Sequence, residues 1–498
     1  MRHNLPRKSF NISCTSEIIT ANLNVIFAFD GKYTPNPFNK LPKLSRFRKV
    51  GFDAHKIGDY HLFEHKNQSW LVIVAENRDY LHQSMLKAGN TIGTVAKKIG
   101  CKSISIYCYD DTSYASIETN ISGIPLGIND ALYNYKEMPL LEEVIFYIPT
   151  GLIENIYVEL AESTQNIITG NNLYRDLLMV PSNQLGPEVL SQMASAVRMN
   201  LIMNTNNFNN VTVKNYSHSQ LRNAGFNLLN AVGKSDPNNP AQIVTLEYKG
   251  APETDEIHQM LVCKGICFDT GGINLKPGTS VANMKMDMGG AALGLGLFHT
   301  LVMNNAPYNI TLVLSNAYNK VSATAMNPGD VYQSGDTTVE ITNTDAEGRL
   351  ALADGVGFAC NHLKMKPKSI ITLATLTGAA RVALGKYFIP FCSNTQRDFP
   401  FNQDDLDPMV QLPLIPAHLD AMRRSETADL TNSDETGSGA GVSTAAAFIG
   451  HFVPEGTEWL HVDFSNVAKN ADDISGNPKS GKQATGRAFL PVLEYILD

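Results

Sequence analysis

The sequence predicts an α/β protein of two domains, residues 1–170 and 171–498, and three observations predict it. At 498 residues the chain exceeds what one hydrophobic core usually organises, at roughly 100–200 residues per domain. Short apolar segments alternate along it with longer stretches of helical periodicity. Potentially ligating side chains gather beyond residue 260, whereas residues 1–170 carry no such cluster.

In the first part, residues 69–75 (SWLVIVA) read as a buried strand, 80–99 as a helix, and 103–107 and 144–148 as further strands. A polar stretch at 164–172 (TQNIITGNN) reads as a linker. A helix is expected from about Leu173 to Pro181, which cannot continue it. In the second part, residues 242–248, 260–268, 309–314, 339–342 and 369–374 read as strands, and 289–302 and 349–363 as helices. This alternation implies a mostly parallel or mixed sheet flanked by helices. Sites in such sheets lie beyond the carboxyl ends of strands, and Asp269 and Asp345 stand just past two of them. The first part is expected to serve assembly or regulation.

Composition narrows the class. Hydrophobic content of 43% and charged content of 18% are those of an ordinary globular protein. A net charge of -8 argues against a dedicated nucleic-acid binder, which needs clustered cations. No run approaches the ~18 apolar residues of a membrane span. Arg2, Arg7 and Lys8 are followed by no apolar stretch, so the N-terminus reads as a solvated tail rather than a secretory signal. Seven irregularly spaced cysteines fit a reducing compartment better than a disulfide framework. Cys263 and Cys267 lie in an apolar run and are expected in the core. The chain is read as cytoplasmic, with no membrane partner.

Several familiar motifs fail. Gly233-Lys234-Ser235 lacks the glycine a phosphate loop requires, because Leu228 stands there. There is no HExxH, and the segment around Ser443 lacks the final glycine of GxSxG.

Two segments do carry chemistry. One runs from Lys264 through Asp269 and Lys276 to Asp287; the other is Asn343-Thr-Asp345-Ala-Glu347-Gly-Arg349. Singly, each residue has a plain structural role as a cap, turn or ion pair. Together, four converging carboxylates would repel one another unless some stayed protonated or cations joined them. Two divalent ions about 3.5–4 Å apart are a known hydrolytic solution for such a site. A lysine beside such ions loses its proton readily and can then donate to a metal.

The strings KGICFDTGGINLK, MKMDMGGAA and NTDAEGRLALADG resemble the signature segments of the leucyl (cytosol) aminopeptidase family. The likeness continues through LATLTGA, SGAGVSTAAAF and TGRAFLPVLEYIL, over roughly residues 173–498. The resemblance implies a metal-dependent exopeptidase that removes N-terminal residues, leucine-type and other apolar ones, from peptides. It implies that Asp269 and Glu347 bridge two metals, that Asp345 completes one site, and that Lys264 and Asp287 complete the other. It implies Lys276 as the electrophile at the oxyanion, and Arg349 as the holder of a bicarbonate that moves the proton. Met284, Thr375 and Gly378 would line the pocket for the first side chain. A metal-bridging water would attack the carbonyl. Zinc or manganese are the expected ions, with magnesium or cobalt also compatible, and a homohexamer is the implied assembly. Departures occur at Met179, Cys263, Asn466 and Asn319-Lys-Val, which follows Tyr318 where the family tends to read ENMP. They bear on substrate preference. Ser465 and a small Ala468 are expected at the pocket wall. A narrower dipeptidase and a protein that also binds DNA are the rival readings.

Overall fold

The computed structural model describes residues 10–17, 21–29, 32–33, 56, 59–65, 67–74, 81–108, 114–148, 155–205, 210–395, 407–437, 439–469 and 483–498. The N-terminal tail, the expected strand end at Ala75 and the expected helix start at Tyr80 lie outside them. Two compact units divide the described residues, one up to Thr169 and one from Gly170 onward.

The first unit is built on seven strands, β1 (Asn11–Thr15), β2 (Leu23–Phe29), β3 (Lys32–Tyr33), β4 (Tyr60–His65), β5 (Gln68–Val74), β6 (Ser103–Tyr107) and β7 (Glu143–Tyr147). The order is β1-β7-β6-β2-β5-β4, with β3 beside β2. All pairs from β1 to β5 are parallel, and β4 closes the edge antiparallel. The inner strands are largely buried and mostly apolar, with Asn24 and Ser105 as buried polar exceptions. Helices α1 (Leu81–Ile99) and α2 (Tyr114–Leu132) pack on each other. Ile117, Ile121, Ile124 and Ile128, all buried, form the stripe of one helix face.

The expected linker at 164–172 is absent. A single helix α3 (Asn155–Met179) runs through it. Thr164 and Thr169 donate their hydroxyls to the carbonyls of Leu160 and Gln165, both at 2.8 Å. Residues that look like loop formers thus satisfy their polar groups inside the helix.

The second unit centres on an eight-stranded mixed sheet. Its strands are β8 (Val211–Ser217), β9 (Gln242–Lys249), β10 (Ile257–Asp269), β11 (Asn309–Asn319), β14 (Pro367–Ala374), β15 (Ile389–Ser393), β16 (Met409–Gln411) and β18 (Glu458–Asp463). A separate small sheet holds β12 (Val331–Ser334), β13 (Thr337–Glu340) and β17 (Leu430–Thr431). The large sheet runs β16-β15-β18-β14-β10-β11-β9-β8. Its middle four strands, β18, β14, β10 and β11, are mutually parallel, so their carboxyl ends share one edge. Strand β11 is longer than the apolar run that announces it, and every residue of it is buried; β9 pairs with it from Asn309 to Asn316.

The helices of this unit are α4 (Pro187–Asn204), α5 (His218–Asn223), α6 (Leu228–Gly233), α7 (Gly289–Met303), α8 (Glu347–Gly357), α9 (Gly378–Leu384), α10 (Pro416–Asp420), α11 (Gly441–Gly450) and α12 (Phe489–Leu497). Helix α7 is apolar all round and fully buried over 289–302, as a central core helix should be. The described stretch Gly278–Met303 is apolar enough to cross a membrane, yet 94% of its apolar window is buried inside the fold. The helix expected over 349–363 passes after Gly357 into one wider π-helical turn, Phe358–His362. All seven cysteines are free, and Cys263 and Cys267 are buried in the core.

Burial leaves two imidazoles neutral. His461 meets Thr372 Oγ1 at 2.9 Å and has no partner at Nε2 among the described residues. Burial, assisted by Arg349 and opposed by Asp463, pulls its pKa from 6.5 down to about 4; burial does the same to His299. The unfolded chain binds these protons below about 6.5, whereas the folded one resists them to about 4. Stability from this source is therefore lost as pH falls through that window. Comparing urea unfolding of the wild type with His461→Gln should show the wild type's relative stability dropping by on the order of 2–3 kcal/mol between pH 7 and 4. A pH-independent difference would refute the buried neutral ring.

Candidate metal centre

The parallel edge of the large sheet delivers the charges. Strand β10 carries Lys264 inward and ends on Asp269, while β14 ends just before Thr375. A 3₁₀ segment (Gly278–Met286) then leads into Asp287. Asp345 and Glu347 arrive differently: they follow β13 of the small sheet, and Glu347 opens α8.

These residues converge. Lys264, 1% exposed, places its ammonium 2.8 Å from Asp287 Oδ2, 2.9 Å from Glu347 Oε1 and 3.0 Å from the carbonyl of Thr375. Lys276 lies 2.7 Å from Asp269 Oδ2 and also contacts Asp345 Oδ1. Carboxylate oxygens of Asp269, Asp287 and Glu347 all fall within 4.8 Å of one another. Gly271 allows the turn after β10: its φ of 87° suits glycine, and its N–H donates to Asp269 Oδ1 at 2.8 Å.

Electrostatics express the crowding. Burial and then Glu347 raise the Asp269 carboxyl to about 6, with Lys276 and Lys264 limiting the rise. Burial pushes Asp287 well up despite Lys264. Burial and Glu347 raise Asp345. Burial disfavours the Glu347 charge too, but Lys264 and Lys276 outweigh it and hold its carboxyl low. For both lysines, burial is likewise outweighed by the surrounding carboxylates, which keep them charged. Four carboxylates face two ammonium groups, so two negative charges stay uncompensated when all are ionised. Among the described residues the buried Glu347 Oε2 has no hydrogen-bond partner. An oxygen-rich, net-negative cluster with an orphaned carboxylate oxygen fits divalent cations.

The neighbouring expected residues take distinct places. Arg349 follows Glu347 by one turn position; burial lowers its pKa to about 10, against the pull of Glu347, Asp463 and Asp434. Its Nε has no hydrogen-bond partner among the described residues, which leaves a donor for an anion. Thr375 donates its hydroxyl to Asp287 Oδ1 at 3.2 Å. Met284 is half-buried, and its carbonyl accepts from the Asp287 N–H at 3.3 Å. Gly378 is exposed at the start of α9, with open space where a Cβ would stand. Ser465 donates to the Thr377 carbonyl at 2.7 Å, and Ala468 is buried.

Other positioning residues gave no signal in sequence. Asn319, read only as a departure, is buried at the end of β11. Its amide donates to Asp269 Oδ1 at 2.8 Å and to the Thr344 carbonyl at 3.0 Å, joining the two charged segments. Thr344 and Asn274 bond reciprocally across the same gap. Asn432 donates to the Asn343 carbonyl at 2.7 Å and accepts from the Thr342 N–H at 2.8 Å. Asp463, at the end of β18, accepts from the N–H groups of Leu376 and Thr377, both at 3.0 Å.

Comparison with known proteins places this architecture. Residues 172–491 match the model of the cytosol aminopeptidase family, catalytic domain. A "probable cytosol aminopeptidase" of Chlamydia trachomatis is 30% identical over 469 residues, covering 91% of this chain and 89% of the relative. One from Syntrophotalea carbinolica is 35% identical over 362 residues, or 72% and 69% of the two chains. Among solved structures, a mutant of tomato leucine aminopeptidase superposes with a TM-score of 0.79 at 23% identity, covering 98% and 96%. The bottromycin maturation enzyme BotP, in complex with Mn, gives 0.77 at 23% identity, covering 96% and 99%. The chain therefore belongs to the cytosol (leucyl) aminopeptidase family and is a metal-dependent hydrolase of that type.

Proposed function

We propose that this protein removes single residues, leucine-type and other apolar ones, from the N-termini of peptides, using two divalent metals. The observation that carries the reading is the buried Asp269–Asp287–Glu347 cluster with its uncompensated charge. Asp269 and Glu347 would bridge the two ions, Asp345 would complete one site, and Lys264 and Asp287 the other. Zinc or manganese, with magnesium or cobalt as chemically compatible substitutes, would anchor the peptide amine, polarise the carbonyl and supply an acidified nucleophilic water.

This chain's own groups do the rest. Lys276 pairs with Asp269 and Asp345, the two carboxylates that Lys264 does not pair with, and would donate to the oxyanion as it develops. Arg349, with its free Nε, would hold bicarbonate, whose chemistry is proton transfer toward the leaving amine. Met284, Thr375 and Gly378 would form the pocket for the substrate's first side chain. The relatives' names support a cytoplasmic enzyme, and family membership supports a homohexamer, with residues 1–170 as its assembly or regulatory domain and 171–498 as its catalytic one. Light scattering of the purified protein tests the oligomer.

Hydrolysis of leucine-p-nitroanilide tests the reaction. Activity should vanish on chelation and return with manganese or zinc; no activity with any metal on this and a dipeptide panel refutes the reading. Lys276→Met should lower kcat about 10²–10³-fold with metal content unchanged. Unaltered turnover in that variant would remove Lys276 from the chemistry.

A further inference from the structure

Outside the charged cluster, the second unit holds a cavity of about 640 Å³ between α5, α6 and β12, within the size range of small-molecule sites. Ala231, Pro237, Pro240 and Val331 give it apolar lining, and Tyr332 also lines it. Its charged lining is one-signed: Arg222 and Lys234, with His218 beside them, and no Asp or Glu. In a chain of net charge -8, this is a local reversal of sign. Neither Arg222 nor Lys234 forms an ion pair with a described carboxylate. Lys234 instead donates to the Tyr332 hydroxyl at 3.0 Å, which in turn donates a hydrogen bond to Asp330 Oδ2 at 2.7 Å. Asn230, also in the lining, donates to the His218 carbonyl, while its buried Oδ1 has no partner among the described residues.

We propose that this cavity binds a small organic anion with an apolar body and at least one N–H or O–H donor, and that its occupancy is felt at the charged cluster. The carboxylate or phosphate would meet Arg222 and Lys234, the donor Asn230, and the body the proline wall. The link is a chain of hydrogen bonds. The Lys234 carbonyl accepts from Thr324 Oγ1 at 2.6 Å. Ser235 donates to the Tyr318 carbonyl at 2.8 Å and accepts from the Lys320 N–H at 3.0 Å. Between Tyr318 and Lys320 lies Asn319, which holds Asp269. A ligand that shifts the 233–237 wall therefore pulls on the residue that orients a central carboxylate.

The test is calorimetric titration of the full chain with N-acetyl-leucine (a carboxylate), adenosine monophosphate (a phosphate) and N-acetyl-leucinamide (neutral). At least one anion should bind saturably, the amide should not, and Arg222→Gln combined with Lys234→Gln should weaken binding at least about tenfold. Which anion binds decides between carboxylate and phosphate. No anion binding, equal binding of the amide, or undiminished binding to the double variant overturns the site. The binding arm stands whether or not the chain cleaves peptides; only the second arm rests on the proposed activity. In it, the saturating anion should change kcat or KM for leucine-p-nitroanilide in the wild type and leave the double variant, whose basal activity is intact, unaffected. Binding without any such change overturns the coupling.

Discussion

Asp269→Asn is expected to lower kcat/KM about 10³-fold and to strip the protein of metal at micromolar free ion. The substitution is nearly isosteric. Oδ1 can still accept from the Gly271 N–H and the Asn319 amide, which hold it at 2.8 Å on either side, so the turn after β10 is preserved. What disappears is one negative charge beside Lys276 and at the centre of the buried triad. The loss should therefore appear as metal content and turnover, with the urea midpoint of the metal-free protein little changed or even raised, because a buried carboxylate that resists ionisation has been removed. Elemental analysis alongside kinetics checks this. Full metal content with normal turnover would show that Asp269 is a structural acid alone.

Gly348→Ala is the second large effect, and its sign discriminates. In an ordinary helix the change from glycine to alanine stabilises by about 1 kcal/mol. Here an ideal Cβ at position 348 would stand 2.5 Å from Lys264 Cε, 2.6 Å from its Nζ and 2.7 Å from Leu376 Cδ1. Lys264 cannot swing clear, since Asp287, Glu347 and Thr375 hold its ammonium within 3.0 Å. The added methyl should push Lys264 out of the cluster and reduce metal affinity or kcat/KM by about 10–100-fold, as displaced supporting groups do. A variant that is both more stable and fully active would show that Lys264 does not need its present place.

The chemistry of the centre was legible because it is written locally. Lys264 and Asp269 share one strand, and Asp345, Glu347 and Arg349 share one five-residue run, so the two charged segments stand out in the string, while the role of each residue is only what the likeness to the family implies. Strands β5, β6, β9, β10 and β14 were legible for the same reason: each is a short, mostly apolar segment that is largely buried. The failures are where polar residues are satisfied at a distance. The 164–172 stretch looks like a linker until its threonines are seen bonding to carbonyls one turn back within α3. The last five residues of β11, Ser315–Asn319, include three polar side chains that no periodicity marks as strand; β10 pairs along this stretch as far as Asn319, whereas β9 pairs only as far as Asn316. Asp345 follows the small sheet rather than the large one, a topological fact with no signature in the string around it.

By itself, then, the sequence determined which side chains carry charge into the protein, the α/β class and the family, because residue type and short-range spacing suffice for these. Only the tertiary structure decided how those charges meet. The pairing of each lysine with two carboxylates, the clasp of Asn319 and Asn432 on the two charged loops, and the cationic cavity behind Lys234 all join residues dozens of positions apart. Such contacts depend on strand order and chain reversal. They exist only when the sheet has brought the ends of β10, β11, β14 and β18 to one edge.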